Sequence, residues 1–322
     1  MPLTLGTAGH VDHGKTSLVE ALTGTNTDRL PEERARGISI ELGYAQLDLP
    51  SGRHLSVVDV PGHERFVRTM VAGASGIDLF LLVVDAREGP RAQTAEHLEV
   101  LRLLGVSRGV VAVTKVDAVA AAARTDVSGL VPGAEIVPVS ARTGEGIDAL
   151  RAALDRVAAA CDGIAGSAAQ ADRPTRLYVD RVFSLPGAGT VATGTLWSGT
   201  IAVGDRLDVL PAGFAIRVRG VHVHGESVAR AQAGQRVALA FTAERRHTVA
   251  RGDVVVAAGA YPVSYRLDVR IDGEAAGAVT VCHGTSAVPA RVAHHGDGHA
   301  QLRLERPVVA ASGDRFVLRR ER

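Results

Sequence analysis

Lysine is almost missing from this chain. Of its 36 basic residues only Lys15 and Lys115 are lysine; the rest are arginine. Where arginine has taken nearly every basic position, two retained lysines mark candidate sites for a compact ammonium. Cysteine is equally scarce. Cys161 and Cys282 are far apart and make no metal-type pair, which predicts a reduced, cytoplasmic setting. No uninterrupted apolar run reaches the ~20 residues needed to cross a bilayer, so no membrane partner is expected. Residues 1–20 lack the plan of a signal peptide, because His10, Asp12, His13 and Lys15 interrupt any apolar core. The formal net charge of +1 argues against a non-specific nucleic-acid binder, while leaving room for a local basic groove.

What is present is a chain of 322 residues with two textures. At roughly 100–200 residues per domain, two or three domains are expected. Residues 3–160 alternate short apolar runs with helical patterns. Strands are predicted at Leu3–Thr7, Leu55–Asp59, Leu79–Asp85, Val110–Thr114 and Ile136–Val139, with helices such as Thr16–Leu22, Thr94–Leu104 and Ile147–Ala160 between them. That alternation reads as a mostly parallel sheet with helices on both faces. Ala118–Arg124 reads as an alanine-rich helix. Ala165–Asp172, small and polar and followed by Pro174, reads as a linker.

From Thr175 the helical period fades. Period-two runs separated by glycine turns predict strands at Leu177–Ser184, Thr190–Trp197, Arg206–Leu210, Ile216–His224 and Arg236–Phe241. After a joint at Gly259–Pro262, further strands are predicted at Tyr265–Ile271, Val279–His283, Val288–Ala293, Ala300–Leu304 and Phe316–Arg319. The expected architecture is multidomain α/β plus all-β. A nucleotide-binding domain spans 1–170, a β-barrel 174–260 and a second β-barrel 261–322.

Gly9-His10-Val11-Asp12-His13-Gly14-Lys15-Thr16 matches G-x-x-x-x-G-K-[ST] between a predicted strand and a predicted helix. The glycines let the backbone wrap a phosphate, and the helix N-terminus adds a favourable dipole. Lys15 is expected to reach the β/γ oxygens, the Thr16 hydroxyl to bind Mg²⁺, and Ser17 to belong to the same nucleotide-binding set. Asp59-Val60-Pro61-Gly62-His63 closes the next apolar strand. Asp59 can hold the magnesium, and the Gly62 amide can reach a γ-phosphate and couple its occupancy to Glu64–Ala74. His63 sits where a residue could orient an attacking water, against the plainer reading of a surface-loop histidine. Ser39, in the charged segment Asn26–Ile38, could complete the metal shell only when the γ-phosphate is present; an ordinary charged loop is the equal alternative.

Thr114-Lys115-Val116-Asp117 closes another strand. Asp117 can accept two hydrogen bonds from guanine N1–H and its exocyclic amine, a pair that adenine cannot offer. The Lys115 stem can lie along the base. Ser140-Ala141-Arg142 ends the last strand, where the Ala141 amide could meet guanine O6; alone, this reads as a polar strand end. All four motifs stand at the carboxyl ends of strands, where open α/β sheets bind ligands.

These residues, GHVDHGKT, DVPGH, TKVD and SAR, resemble the translational GTPases, a family that includes elongation factor Tu and the initiator-tRNA carriers. The chain is most similar to the bacterial selenocysteine-specific branch. Its opening TAGHVDHGKTSLVEALTGTNTDRLPEE, the threonine in TKVD, LYVDRVFSLPGAGTVATGTLWSG, CHGTSAVPARV and GDRFVLR carry the likeness. The resemblance implies a monomeric, cytoplasmic, ribosome-stimulated GTPase, with GTP and GDP as substrate and product, Mg²⁺ as cofactor, and Lys15 and His63 as catalytic residues. Its implied partners are selenocysteinyl-tRNA and the ribosome.

It also implies a selenocysteinyl pocket at Asp180, Arg181 and Arg236. A selenol is more acidic than a thiol, whose reference pKa is ~8.5, so two arginines would favour it over neutral serine. Without the resemblance, surface ion pairing on strands is an equal reading of those arginines. His222 with His224, and His294 with His295, read as structural or solvent-facing.

The sequence departs from the family in having Ser39 where threonine is usual. The winged-helix region that would bind an mRNA hairpin is expected to be absent, and the third domain to stop before its last strands, leaving a sheet edge exposed. A general or initiator-tRNA carrier, a metabolic GTPase subunit of sulfate activation and a non-catalytic GTP-gated module are the rival readings.

Overall fold

A computed structural model describes residues 3–28, 30–36, 39–63, 71, 76–121, 124–161, 170–185, 189–243 and 248–320. Gly37 and Ile38, all of Glu64–Ala74 but Val71, and most of the expected linker Ala165–Asp172 lie outside the described residues. The chain divides into two compact units, Met1–Ala165 and Gly166–Arg322.

The first unit is built on six strands: β1 (Leu3–Ala8), β2 (Gly43–Asp48), β3 (His54–Asp59), β4 (Leu79–Asp85), β5 (Gly109–Thr114) and β6 (Glu135–Pro138). Their order is β2-β3-β1-β4-β5-β6. Only the β2–β3 pairing is antiparallel. Every residue of β4 is buried, as its unbroken apolar run requires of a strand covered on both faces. One face packs Leu79, Leu81 and Val83 against Leu18 and Leu22 of α1 (Lys15–Thr23) and Leu150 and Leu154 of the later helix Ile147–Cys161. A short helix, α2 (Pro31–Arg36), precedes β2, and α3 (Ala92–Leu104) contacts β1; Ile147–Cys161 is therefore α4. The chain leaves β1 toward β3 on one side and β4 on the other, so the switch point lies at the carboxyl end of β1.

Two expectations need adjustment here. The antiparallel edge strand β2 is an addition, and the described residues of Ala118–Arg124 are not α-helical. A 3-10 turn covers Val116–Ala118, and Val119 is extended at φ −141°, ψ 130°. Seven residues are too few to nucleate a helix without packing, whatever their alanine content.

The second unit is all β among its described residues, apart from a short helical stub at Gln170–Ala171. Its main sheet contains β7 (Arg176–Leu185), β8 (Gly189–Ser198), β10 (Arg206–Leu210), β11 (Phe214–Val223), β12 (Glu226–Val228), β14 (Arg236–Ala243) and β15 (Val254–Ala257). The order is β10-β15-β7-β8-β14-β11-β12, and β10 also pairs with β11, closing a six-stranded barrel. The short strands β9 (Thr200–Ala202) and β13 (Arg230–Gln232) pair beside it. Period-two burial along β11 puts Ile216, Val218 and Val221 into the barrel core and turns Arg217 and Arg219 to the surface.

After Gly259–Pro262 the chain enters a five-stranded antiparallel sheet, β16-β19-β18-β17-β20, formed by Val263–Arg270, His299–Val309, Ser286–Gly296, Gly277–His283 and Val317–Arg320. Among the described residues β16 and β20 are its edges. Arg176 of β7 pairs bidentately with Asp314, in the turn before β20, at 2.6 and 2.8 Å. His283 Nε2 lies 3.1 Å from the same carboxylate, and the guanidinium stands over the rings of Tyr178 and Tyr261. This buried cluster pins the five-stranded sheet to the barrel. No described helix is long and apolar enough to cross a membrane.

Candidate functional site

Four sequence motifs meet at the carboxyl edge of the first unit's sheet. The loop Gly9–Gly14 follows β1 and turns through left-handed conformations at Asp12 (φ 62°) and Gly14 (φ 87°). At Gly9 (φ 131°) an added Cβ would stand 2.2 Å from the Val83 carbonyl oxygen, so only glycine lets the loop pass this close to β4. α1 begins directly behind Gly14 with no side-chain cap hydrogen bond. Its first amides are thus presented to an anion rather than to the protein's own side chains. Ser17 is exposed on the first turn of α1.

Lys15 is enclosed by the loop. Its ammonium donates to the carbonyls of Gly9 (3.1 Å) and His10 (2.8 Å). Burial pulls its pKa down to about 8, against the attraction of Asp59, Asp12 and Asp28. Gly62 sits directly against it: an added Cβ there would lie 2.2 Å from Lys15 Nζ and 2.8 Å from the Val11 amide nitrogen. The segment after β3 is thereby held within contact of the phosphate loop. His63 follows, partly exposed, at the end of the described stretch.

The three residues expected around a metal ion are brought together. Thr16 Oγ1 donates to Asp59 Oδ2 at 2.8 Å and lies 3.0 Å from Ser39 Oγ. Two further residues join them. Thr27 donates to Asp59 Oδ2 at 2.6 Å, and Ser39 donates to Asp28 Oδ1 at 2.7 Å. Thr7 on β1 holds the other carboxylate oxygen at 2.8 Å and accepts from the Val60 amide. Two carboxylates and three hydroxyls converging beside the lysine make a hard oxygen set, the donor chemistry that Mg²⁺ prefers. The residues therefore fit that ion.

The Thr114–Asp117 motif is tied to the Gly9–Gly14 loop by both of its leading residues. Thr114 Oγ1 donates to the His13 carbonyl at 2.7 Å. Lys115, left-handed at φ 58°, donates to the Asp12 carbonyl at 2.6 Å and pairs with Asp85 at 2.8 Å. Burial pushes the Asp85 carboxyl up, but the hydrogen bond from Lys115 and the Arg87 amide outweigh it and leave the group at about 2. Both lysines of the chain are thus spent within one site. Asp117 accepts from Arg142 Nε and Nη2 at 2.9 and 2.6 Å. Hydrogen bonds from Ser140 and Arg142 hold its carboxyl below the usual range. The Ser140 hydroxyl caps the turn by accepting from the Thr143 amide, and Ala141 lies partly exposed between the two motif residues.

Support from behind comes from α3. His97 Nδ1 accepts from the Gly9 amide at 3.1 Å, and Gln93 Oε1 faces the Val11 amide at 3.4 Å. The buried stripe of α3 reads Thr94, His97, Val100, Leu101. Two polar residues in a core-facing stripe were the available signal for that role. Thr27, Asp28, Gln93, His97 and Asp85 are the site residues that sequence motifs alone did not single out.

In the second unit, β7 carries Asp180 and Arg181, with a register shift against β8 between Val179 and Arg181. Arg236 of β14 pairs with both Asp180 oxygens and donates to Thr193 Oγ1 at 3.0 Å, while Thr193 donates to Asp180 at 2.9 Å. The side chains of Arg236 and Asp180 are 18% and 7% exposed. Asp180 and Arg236 are therefore a matched ion pair, and the three expected pocket residues carry one net positive charge instead of two unopposed ones. Arg181 is partly exposed opposite Thr193. His222 is on an exposed face of β11, and His224 lies in the turn after it at φ 55°. Among the described residues no group of three or more histidine, cysteine or acidic side chains could hold a metal ion.

Comparison with known proteins follows the same division. Residues 2–160 match the elongation factor Tu GTP binding domain, 189–256 match elongation factor Tu domain 2, and 266–322 match the β-barrel domain of the selenocysteine-specific elongation factor. The chain is 46% identical over 267 residues to a selenocysteine-specific elongation factor from Desulfomicrobium baculatum, covering 79% of this chain and 41% of that protein. It is 38% identical over 331 residues to the one from Escherichia coli, covering 98% and 53%. It is also 39% identical over 295 residues to elongation factor Tu 2 from Streptomyces avermitilis, covering 84% and 75%. A crystal structure of a bacterial selenocysteine-specific elongation factor superposes with a TM-score of 0.90 at 35% identity, over 99% of this chain and 56% of that one. A Methanococcus maripaludis elongation factor SelB in complex with the GTP analogue GppNHp superposes with a TM-score of 0.84 at 28% identity, over 99% and 75%. The chain spans about half the length of the selenocysteine-specific relatives it matches.

Proposed function

The chain belongs to the translational GTPases, in the branch of the selenocysteine-specific elongation factors, and from that premise we propose that it binds and hydrolyses GTP and carries selenocysteinyl-tRNA to the ribosome in the cytoplasm. We assign residues 1–170 to the nucleotide domain, 174–260 to the second domain and 261–322 to the third. The observation that carries the proposal is the convergence of Lys15, Thr16, Ser39 and Asp59, with Asp117 in the turn after β5 whose preceding residues Thr114 and Lys115 are bonded to the same loop.

In this reading the loop amides from Gly9 to Thr16 cradle the phosphates, and the Lys15 ammonium gathers charge on the β/γ oxygens. Thr16, Ser39 and Asp59 would hold Mg²⁺, which would supply positive charge to offset and orient the phosphate oxygens. The Gly62 amide donates a hydrogen bond to the γ-phosphate. His63 orients the water that attacks in line, and Lys15 stabilises the charge that develops on the transferred group. Thr114 and Lys115 hold the phosphate loop at a fixed distance from Asp117, which selects guanine by taking two donors that adenine lacks.

The proposed selenocysteinyl site is Arg181, with Asp180 and Arg236 as its frame. Arg181, together with the Arg236–Asp180 pair, would set the charge that favours a selenolate over neutral serine.

The test is His63→Ala. GTP and GDP affinities are expected to stay within about twofold of wild type, while ribosome-stimulated turnover falls by roughly 10²-fold or more, the range for loss of a positioned proton-transfer or water-orienting group. Unchanged stimulated turnover refutes the role of His63. Competition between selenocysteinyl-, seryl- and cysteinyl-tRNA in the presence of GTP separates this carrier from a general one.

A further inference from the structure

Arg142 holds the carboxylate that is to read the base. Its Nε and Nη2 both donate to Asp117 Oδ2, at 2.9 and 2.6 Å. Nε–Cζ–Nη2 is a planar N–C–N fork with two parallel donors. Guanine carries the same N–C–N unit in N1, C2 and its exocyclic amine, although here the two arginine donors converge on one carboxylate oxygen. The side chain of Arg142 is 77% exposed and that of Asp117 15% exposed, so the arginine meets the carboxylate from the solvent side. Ser140 supplies a further hydrogen bond to Asp117.

The geometry points to Arg142 as a built-in mimic of guanine, an autoinhibitory contact that a nucleotide must displace before Asp117 can read it. This inference rests on the proposed role of Asp117 in guanine reading. It assigns Arg142 a role opposite to that of a ligand-contacting residue: the side chain lowers nucleotide affinity instead of supplying it. An exposed arginine–carboxylate pair is a weak lock. Pairs of this kind favour their closed form by roughly 1.4- to 5-fold. The apparent dissociation constant of the nucleotide rises by one plus that ratio, roughly two- to six-fold. Because the base binds only the open form, the cost falls on association. Once the nucleotide is bound, its departure does not involve the fork.

The experiment measures association and dissociation rates of fluorescent GTP and GDP, in Mg²⁺, for the full chain and for Arg142→Ala and Arg142→Lys. Removal of the side chain is expected to raise the association rate roughly two- to six-fold for both nucleotides, with dissociation unchanged. Arg142→Lys keeps the charge but loses the planar fork, and is expected to follow Arg142→Ala. Three results overturn the inference: an unchanged association rate, a faster dissociation that marks Arg142 as a stacking contact on the base, or a lysine variant that behaves as wild type. ATP is run beside GTP on the wild-type chain. Equal binding of the two removes the base-reading role of Asp117, and the mimicry falls with it; guanine selectivity with unaltered Arg142→Ala kinetics removes the mimicry alone.

Discussion

His97 Nδ1 accepts the amide hydrogen of Gly9 across 3.1 Å, joining the middle of α3 to the first residue of the phosphate loop. An acceptor nitrogen must be unprotonated, and burial agrees with that. Burial, with Lys15 and His10 nearby, lowers the His97 pKa to about 3. His13, buried with its ring 5.0 Å from that of His10, is lowered to about 4, again chiefly by burial.

Both histidines therefore tie stability to pH with the same sign. The unfolded chain takes up their protons near 6.5 while the folded chain refuses them, so stability falls as pH drops below that value. Each is expected to remove about 2 kcal/mol between pH 7 and pH 5. His97→Gln, which keeps an acceptor but does not titrate, should flatten the acid slope of the helical circular dichroism melt. Among the described residues the α-helices of more than two residues lie in the first unit, so that signal reports chiefly on it. Parallel slopes for variant and wild type over pH 5–7 contradict the assignment.

Gly62 is fitted to the loop by its lack of a side chain. In Gly62→Ala the new methyl group meets Lys15 Nζ, which can shift, and the Val11 amide and His10 carbonyl carbon, which cannot. The segment after β3 is expected to move away from the γ-phosphate position. Affinity for GTP should fall about tenfold or more while GDP, which has no γ-phosphate, is spared. An unchanged ratio of GTP to GDP affinity goes against the proposed Gly62 contact.

Arg176 and Asp314 test the second unit. Burial raises the Asp314 carboxyl, but hydrogen bonds from His283 and Arg176 hold it far below the usual range. Its stabilising effect is thus full above the unfolded value near 4 and is lost only in stronger acid. Asp314→Ala leaves the buried guanidinium uncompensated, at a cost of about 3–5 kcal/mol. Arg176→Met with Asp314→Leu should cost less than Asp314→Ala alone. Trp197, the one tryptophan of the chain, stands edge-on to Tyr178 at 6.1 Å and gives a fluorescence readout of this unit. Equal midpoints for the single and double variants would show that the charge is not what matters.

Arg181 is expected to set amino-acid preference. Arg181→Ala should narrow the ratio of selenocysteinyl- to seryl-tRNA affinity by about three- to tenfold, with the salt slope common to both kept, since phosphate contacts govern that slope. Arg236→Ala, by contrast, leaves Asp180 buried without its partner and should weaken the barrel itself. A preserved ratio in Arg181→Ala counts against the pocket.

How much of this could be read in advance depended on where each signal lies. β4 was readable because seven consecutive apolar or strand-ending residues are all buried. The loop Gly9–Gly14, Asp59 and Asp117 stood out because a nucleotide site would dictate both residue type and spacing. β2 was not: GYAQLD alternates poorly and is only partly buried at a sheet edge, so neither period dominates. β15 is four residues long and acquires its identity by pairing with β7 and β10. Thr27, Gln93 and His97 serve through contacts with residues 32, 82 and 88 positions away, which no local pattern encodes. The pairing of Arg236 with Asp180 likewise became visible only once β7 and β14 flanked β8.

The central claim is that the loop from Gly9 to Thr16 wraps a triphosphate whose base is read by Asp117. Equilibrium titration of the chain with GTP and with ATP, each with Mg²⁺ and with chelator, tests it most directly. We expect GTP to bind at least about 10³-fold more tightly than ATP, and chelation to weaken GTP binding by about tenfold or more. Comparable affinity for the two nucleotides, or uptake indifferent to magnesium, would contradict the account.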